Sequence, residues 1–216
     1  MTAYILVSTY LVLIAITAAN ARAADPPKGA VIDQQIRAAQ ACQRALHAPL
    51  FPRRISPWAL EGHDATKVLR LWQRRLAECQ GRRAVVAKLN AGLAGTPMKG
   101  TGIVLERAGW REHVHPAFMA AVAGVESAWG RLYCQRFNAW GLGSCPLLWH
   151  PPTFRSWAEA YDYYARFLRD RWPSARKPSD FHGYCRTPSG ADCPTWPSSV
   201  AWNMDRLGFP PTVTYP

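Results

Sequence analysis

Residues 116–141 read PAFMAAVAGVESAWGRLYCQRFNAWG, and the first half of this stretch decides the fold class. Pro116 suits a first helical position and Gly130 suits a C-terminal stop. Between them Phe118, Val122, Val125 and Trp129 recur at i, i+4, i+7 and i+11 as one apolar stripe. The other faces carry Ala120, Ala121, Ala123, Gly124 and Ala128, small enough for neighbouring elements to pack against the backbone. A helix apolar on every side belongs inside a core. One carboxylate, Glu126, interrupts it.

Two effects act on that carboxylate. Burial disfavours its charged form and raises its pKa. The last helical turn, where the macrodipole is negative, disfavours an anion as well. Both favour a carboxylic acid that keeps its proton near neutral pH, as a general acid must. The ordinary alternative is a solvated surface Glu, or one paired with Arg131 or Arg136.

The residues that follow carry a resemblance. Glu126-Ser127, Trp129-Gly130 and Asn138-Ala139-Trp140-Gly141-Leu142-Gly143 resemble the pattern of bacterial glucosaminidases and related lysozyme-like, lytic-transglycosylase-like enzymes. In that family a helix ends in Glu-Ser-x-aromatic-Gly, and an Asn-x-aromatic-Gly turn follows. The resemblance spans about residues 105–207. It implies cleavage of the β-1,4 glycan strands of bacterial peptidoglycan, with Glu126 as the acid and Ser127, Asn138, Trp140 and Gly141 lining the sugar groove. No Gly-Leu-Met-Gln run follows the Glu-Ser segment, which favours the glucosaminidase-like branch over the soluble lytic transglycosylases.

The rest of the chain bounds this reading. Its 216 residues suffice for one or two domains. Hydrophobic content of 49% against 19% charged describes a globular protein rather than a disordered one. Residues 4–16 form an apolar run, and Ala21-Arg22-Ala23 is an A-x-A cleavage pattern, so residues 1–23 read as a secretory signal. No Lys or Arg precedes the run, which leaves an uncleaved anchor as the alternative, although the run falls short of the ~20 residues of a membrane span. Cleavage removes only Arg22 among charged residues and lowers the net charge from +12 to +11. A basic exported protein is drawn to polyanionic surfaces such as acidic wall polymers. Nucleic acid fits the charge but not export. The reading is therefore a secreted or cell-envelope protein whose partner is peptidoglycan, with no nucleic acid and no stable membrane insertion after signal cleavage.

Cys42, Cys79, Cys134, Cys145, Cys185 and Cys193 make an even set downstream of the signal and imply disulfides. Nearest-neighbour pairing, 42–79, 134–145 and 185–193, is the expectation, although spacing leaves connectivity open. No C-x-x-C pair exists and the histidines are scattered, so neither metal nor cofactor is expected.

Helical patterns run over 31–46 and from a cap at Asp64 to Cys79, continuing through 82–93. Arg53-Arg54, Arg74-Arg75 and Arg82-Arg83 read as solvated basic doublets, or as a wall-docking face. The segment 91–102, with Gly92, Gly95, Gly100, Gly102 and Pro97, is the strongest domain boundary. This divides the chain into a signal at 1–23, a helical N-terminal module at 24–95, a linker at 96–102 and a catalytic domain at 103–216. Ser156-Trp157-Ala158-Glu159 is a capping box opening a helix to Arg171, with Tyr163 pointing away from the core and toward substrate. A last helix is expected over 199–207. The fold class is mainly α: a lysozyme-like helical catalytic domain preceded by a small helical module, stapled by disulfides.

Glycosidic cleavage needs a proton donor and a means of stabilising an oxocarbenium-like centre. Asp162, Asp180 and Asp192 are the candidates for a second carboxylate. The alternatives are assistance by the substrate's acetamido group, or attack by its own 6-hydroxyl to give a 1,6-anhydro product, as lytic transglycosylases do. Hydrolysis of the N-acetylglucosaminidase type is favoured. The reading from another class is a wall-binding protein on a lysozyme-like scaffold without chemistry.

Overall fold

The structure, a computed structural model, describes residues 28–46, 65–132, 135–143 and 152–215. The expected signal, the Asp64 cap, the Arg53-Arg54 doublet and the 134–145 disulfide lie outside the described residues. Among those described the protein is mainly helical and has no strand, only two isolated bridges, Val114 with Thr214 and Arg186 with Asp192. The helices are α1 (Lys28–Ala45), α2 (Ala65–Gly92), α3 (Gly102–Glu112), α4 (Pro116–Ser127), α5 (Trp157–Arg171) and α6 (Trp196–Arg206).

The apolar pattern of α4 places it in the centre. Every residue from Pro116 to Ala123 is buried. His115 caps its first turn with the imidazole, Nδ1 accepting from the Ala117 N–H at 3.2 Å, and Pro116 takes the position where no N–H is needed. Helix α6 crosses closely: Asn203 Nδ2 donates to the Ala121 carbonyl at 3.0 Å, and a Cβ on Gly124 would come within 2.6 Å of that amide nitrogen. Only glycine fits there.

Helix α2 is continuous and serves two neighbours. Its first half pairs with α1, and the Cys42–Cys79 disulfide joins the two with Cα atoms 6.2 Å apart. Its second half delivers Leu89, and the turn that follows delivers Leu93, to the core that contains α4. The expected linker at 96–102 is instead a run of hydrogen-bonded turns: Met98 is fully buried in that core, and Thr101 Oγ1 lies 2.6 Å from the Tyr161 hydroxyl. The glycines there provide turns, not freedom. The Arg82-Arg83 doublet also departs from expectation, because Arg82 is buried in an ion pair with Glu106 of α3. Charge alone does not reveal a partner 24 residues away.

On α5, Ser156 Oγ accepts from the Glu159 N–H at 3.2 Å, as the capping box requires. The Glu159 carboxylate reaches one residue further back, to the Arg155 N–H at 2.8 Å. Helix α6 begins at Trp196, earlier than the expected 199, because Pro197 is tolerated in a first turn. Between α5 and α6 lies a small lobe closed by the Cys185–Cys193 disulfide. The C-terminal segment returns to clamp the start of α4, the His115 N–H donating to the Val213 carbonyl and the Tyr215 N–H to the His113 carbonyl. No helix among the described residues is long and apolar enough to cross a membrane. The two disulfides are compatible with an extracellular location.

Candidate active site

Helix α4 ends one residue after Glu126. The stop was expected at Gly130, but the chain turns left-handed earlier, at Ala128 (φ 49°) and Trp129 (φ 64°), with Gly130 (φ 80°) third. The Ala128 N–H reaches back to the Ala123 carbonyl, a six-to-one closure of Schellman type, and the Trp129 N–H reaches the same carbonyl at 3.0 Å. Ser127 holds this turn together. Its hydroxyl donates to the Ala123 carbonyl at 3.0 Å and accepts from the Gly130 N–H at 2.9 Å. Ser127 is buried with its hydrogen-bonding capacity used inside the protein, so it shapes the site and is not free for substrate.

This early ending brings Glu126 out of the core. The residue is exposed, where burial was expected, because the last turn of α4 emerges past Gly124 and Val125, both half-buried. Its carboxyl nevertheless has a defined place. Oε1 accepts from the Trp196 indole Nε1–H at 2.7 Å, and Oε2 lies 3.9 Å from where a Cβ on Gly141 would stand. Gly141 is left-handed (φ 62°), so the absence of a side chain there serves both backbone and access.

Aromatic rings surround the carboxyl. Trp196 stacks near Tyr184 at 4.7 Å between centroids, the Tyr184 hydroxyl meets that of Tyr164 at 2.9 Å, and Tyr164 stacks on Trp140 at 4.4 Å. Both phenols are held above their ordinary range, by burial first and, in smaller part, by the charge of Glu126. The same crowding raises the Glu126 pKa, opposed by the smaller effect of the Trp196 hydrogen bond. The side chain is accessible from outside while its carboxyl head is poorly hydrated on the aromatic side. No ion pair to Glu126 forms among the described residues. Arg131 is turned to the Gly95 carbonyl at 2.8 Å and Arg136 lies over Phe137 at 4.7 Å. The surface-pair alternative does not arise.

Asn138 and Trp140, expected to line a sugar groove, point inward. The Asn138 amide closes its own loop, accepting from the Leu142 N–H at 3.1 Å and donating to the Leu142 carbonyl at 2.8 Å. Trp140 is 2% exposed and donates its indole N–H to the Met119 carbonyl at 2.8 Å. Together they present Gly141 to Glu126. Tyr163 is exposed on another face of α5 from Tyr164, in an open surface groove of about 370 Å³ with Arg166, Phe167, Asp170 and Arg171.

The three candidate second carboxylates are each engaged. Asp162 pairs with Arg111 at 3.1 Å. Asp180 accepts from the Arg176 and Lys177 N–H groups at 2.8 and 3.1 Å, and Asp192 accepts from the Gly183 N–H at 2.8 Å and meets His182 Nδ1 at 3.1 Å. Backbone donors lower the pKa of both. Their positions are those of turn-forming aspartates. Among the described residues no group of three His, Cys, Asp or Glu could hold a metal ion.

Sequence reasoning missed Trp196, Tyr164 and Tyr184. The one local signal for Trp196 is its place three residues after Cys193, where a closed disulfide loop holds it. Comparison of the chain with protein-family models, with curated proteins and with solved structures finds no match.

Proposed function

We propose that the protein cleaves the β-1,4-linked glycan strands of bacterial peptidoglycan, with Glu126 as general acid. The observation that carries this reading is an accessible carboxyl without a cationic partner among the described residues, held by one indole N–H in aromatic surroundings that raise its pKa. An unpaired acid in such a place holds its proton to higher pH than an ordinary Glu and can deliver it to a glycosidic oxygen. The likeness to glucosaminidases and the mainly helical architecture support the same assignment, as do the disulfides, which suit an exported protein.

The engagement of Asp162, Asp180 and Asp192 favours a reaction completed by the substrate itself. Assistance by the acetamido group, followed by water, gives hydrolysis of the glucosaminidase type. Attack by the sugar's 6-hydroxyl gives the 1,6-anhydro product of a transglycosylase. In either route Glu126 protonates the leaving oxygen, and its conjugate base then accepts a proton from water or from the 6-hydroxyl.

Wall binding without chemistry draws on one observation, Trp202, which is 60% exposed, with the Arg206 guanidinium over its ring at 4.8 Å, and so presents an aromatic and a cationic group together to a wall glycan. Incubation with purified peptidoglycan followed by mass spectrometry separates the readings. Reducing ends indicate hydrolysis, anhydro sugars transglycosylation, and intact strands on pelleted protein mere binding. Glu126→Gln is expected to abolish both products while leaving the fold intact; undiminished cleavage by that variant removes the acid assigned here.

A further inference from the structure

We infer that Trp196 is a positioning residue that fixes the acidic proton of Glu126 on Oε2, the oxygen facing Gly141. This rests on the general-acid reading above and deepens it. An indole nitrogen only donates, so the oxygen 2.7 Å from Trp196 Nε1 must accept in both protonation states of the carboxyl. The carbonyl oxygen of a carboxylic acid accepts far better than its hydroxyl oxygen. Oε1 is therefore the carbonyl oxygen, and the hydroxyl is Oε2. Oε2 faces the backbone of Gly141, where no side chain obstructs a substrate oxygen.

The fold holds the indole for this purpose from two sides. Trp196 opens α6, its N–H donating to the Cys193 carbonyl at 3.3 Å, so the disulfide lobe sets its backbone. Its ring packs beside Tyr184 and Phe181, with centroids at 4.7 and 6.3 Å. The lobe thus acts on Glu126 through one hydrogen bond across 70 residues of sequence.

The titratable groups near this pair are Tyr164 and Tyr184 on the carboxyl side, and His182 and Asp192, which line a cavity of about 170 Å³ with Trp196. Both phenols titrate above the range of Glu126, burial being the main cause. His182 and Asp192 can perturb the indole independently, so the test must separate them from Glu126.

The experiment follows the Trp196 indole N–H by nitrogen-15 NMR in the full-length protein as pH is varied without substrate. The cross-peak is expected to shift with a midpoint that coincides with the carboxyl titration of Glu126, and to lose that component of the shift in Glu126→Gln. A cross-peak that stays flat, or one that titrates equally in Glu126→Gln, overturns the proposal. In Trp196→Phe, which keeps an aromatic ring, the Glu126 pKa is expected to rise further and kcat on peptidoglycan to fall about tenfold with KM little changed. An unchanged Glu126 pKa in that variant also overturns the proposal. Failure of the general-acid reading looks different: Glu126→Gln then cleaves normally, whatever the indole does.

Discussion

Arg82 of α2 and Glu106 of α3 form a two-pronged ion pair inside the protein, with Nη2 donating to Oε2 at 3.0 Å and neither side chain more than 3% exposed. The Tyr215 hydroxyl donates to the same carboxylate at 3.3 Å, and the guanidinium lies 4.1 Å from the centroid of the Trp110 ring. One salt bridge therefore joins the long helix, the helix before α4 and the C-terminal segment. Removing a single partner leaves an uncompensated buried charge. Arg82→Met is expected to cost about 3–5 kcal/mol, and the double variant Arg82→Met, Glu106→Leu to recover most of it. Urea denaturation of the two single variants and the double variant checks this, and additive losses contradict it.

His115 makes stability depend on pH. Burial lowers its pKa from 6.5 to about 4, against Phe209 and Tyr215 with ring centroids at 5.3 and 5.2 Å. The unfolded chain then binds more protons than the folded one between these values. The stabilisation is complete above the unfolded pKa and is lost as pH falls from about 6.5 toward 4, by about 3 kcal/mol in all. Asn at this position retains a capping acceptor but does not titrate. His115→Asn should flatten this part of the stability profile, measured by denaturation at a series of pH values, even if it is less stable at neutral pH.

For Glu126 the sign is opposite. Its raised pKa means that the folded protein binds more protons than the unfolded chain above the ordinary carboxyl range, so this residue lowers stability as pH rises. Glu126→Gln is therefore expected to be at least as stable as the parent at neutral pH while losing cleavage. In the parent protein kcat/KM should decline as pH rises through a midpoint above that of an ordinary Glu. A melting temperature well below the parent's, or an activity limb at the ordinary carboxyl value, contradicts the assigned environment.

The two disulfides should differ in what they support. Cys42 and Cys79 are 37 residues apart, and chain entropy assigns their bridge about 4 kcal/mol; the bridge between Cys185 and Cys193, 8 residues apart, corresponds to about 2.5 kcal/mol. Replacing the first pair by serine should lower stability more. Replacing the second should lower kcat more, because its lobe carries Trp196. Thermal melts and peptidoglycan digestion on both double variants provide the comparison, and equal effects on kcat count against the lobe's role.

Residues 116–123 announce a core helix because neither face offers a polar alternative, and the structure buries every one of them. The cap at Ser156 and the bridges 42–79 and 185–193 were legible for the same kind of reason, since their partners lie close in sequence or within a simple count. Helix periodicity and capping chemistry act over a few residues, and so a sequence determines them by itself. The direction taken by each polar side chain at the site was decided only by tertiary contacts. Ser127, Asn138 and Trp140 turned inward because buried backbone groups needed their donors and acceptors, Arg82 found Glu106, and Glu126 met an indole from the far end of the chain. Desolvated polar groups must be satisfied by whatever the fold brings within about 3 Å, and which groups those are depends on the packing of helices distant in sequence.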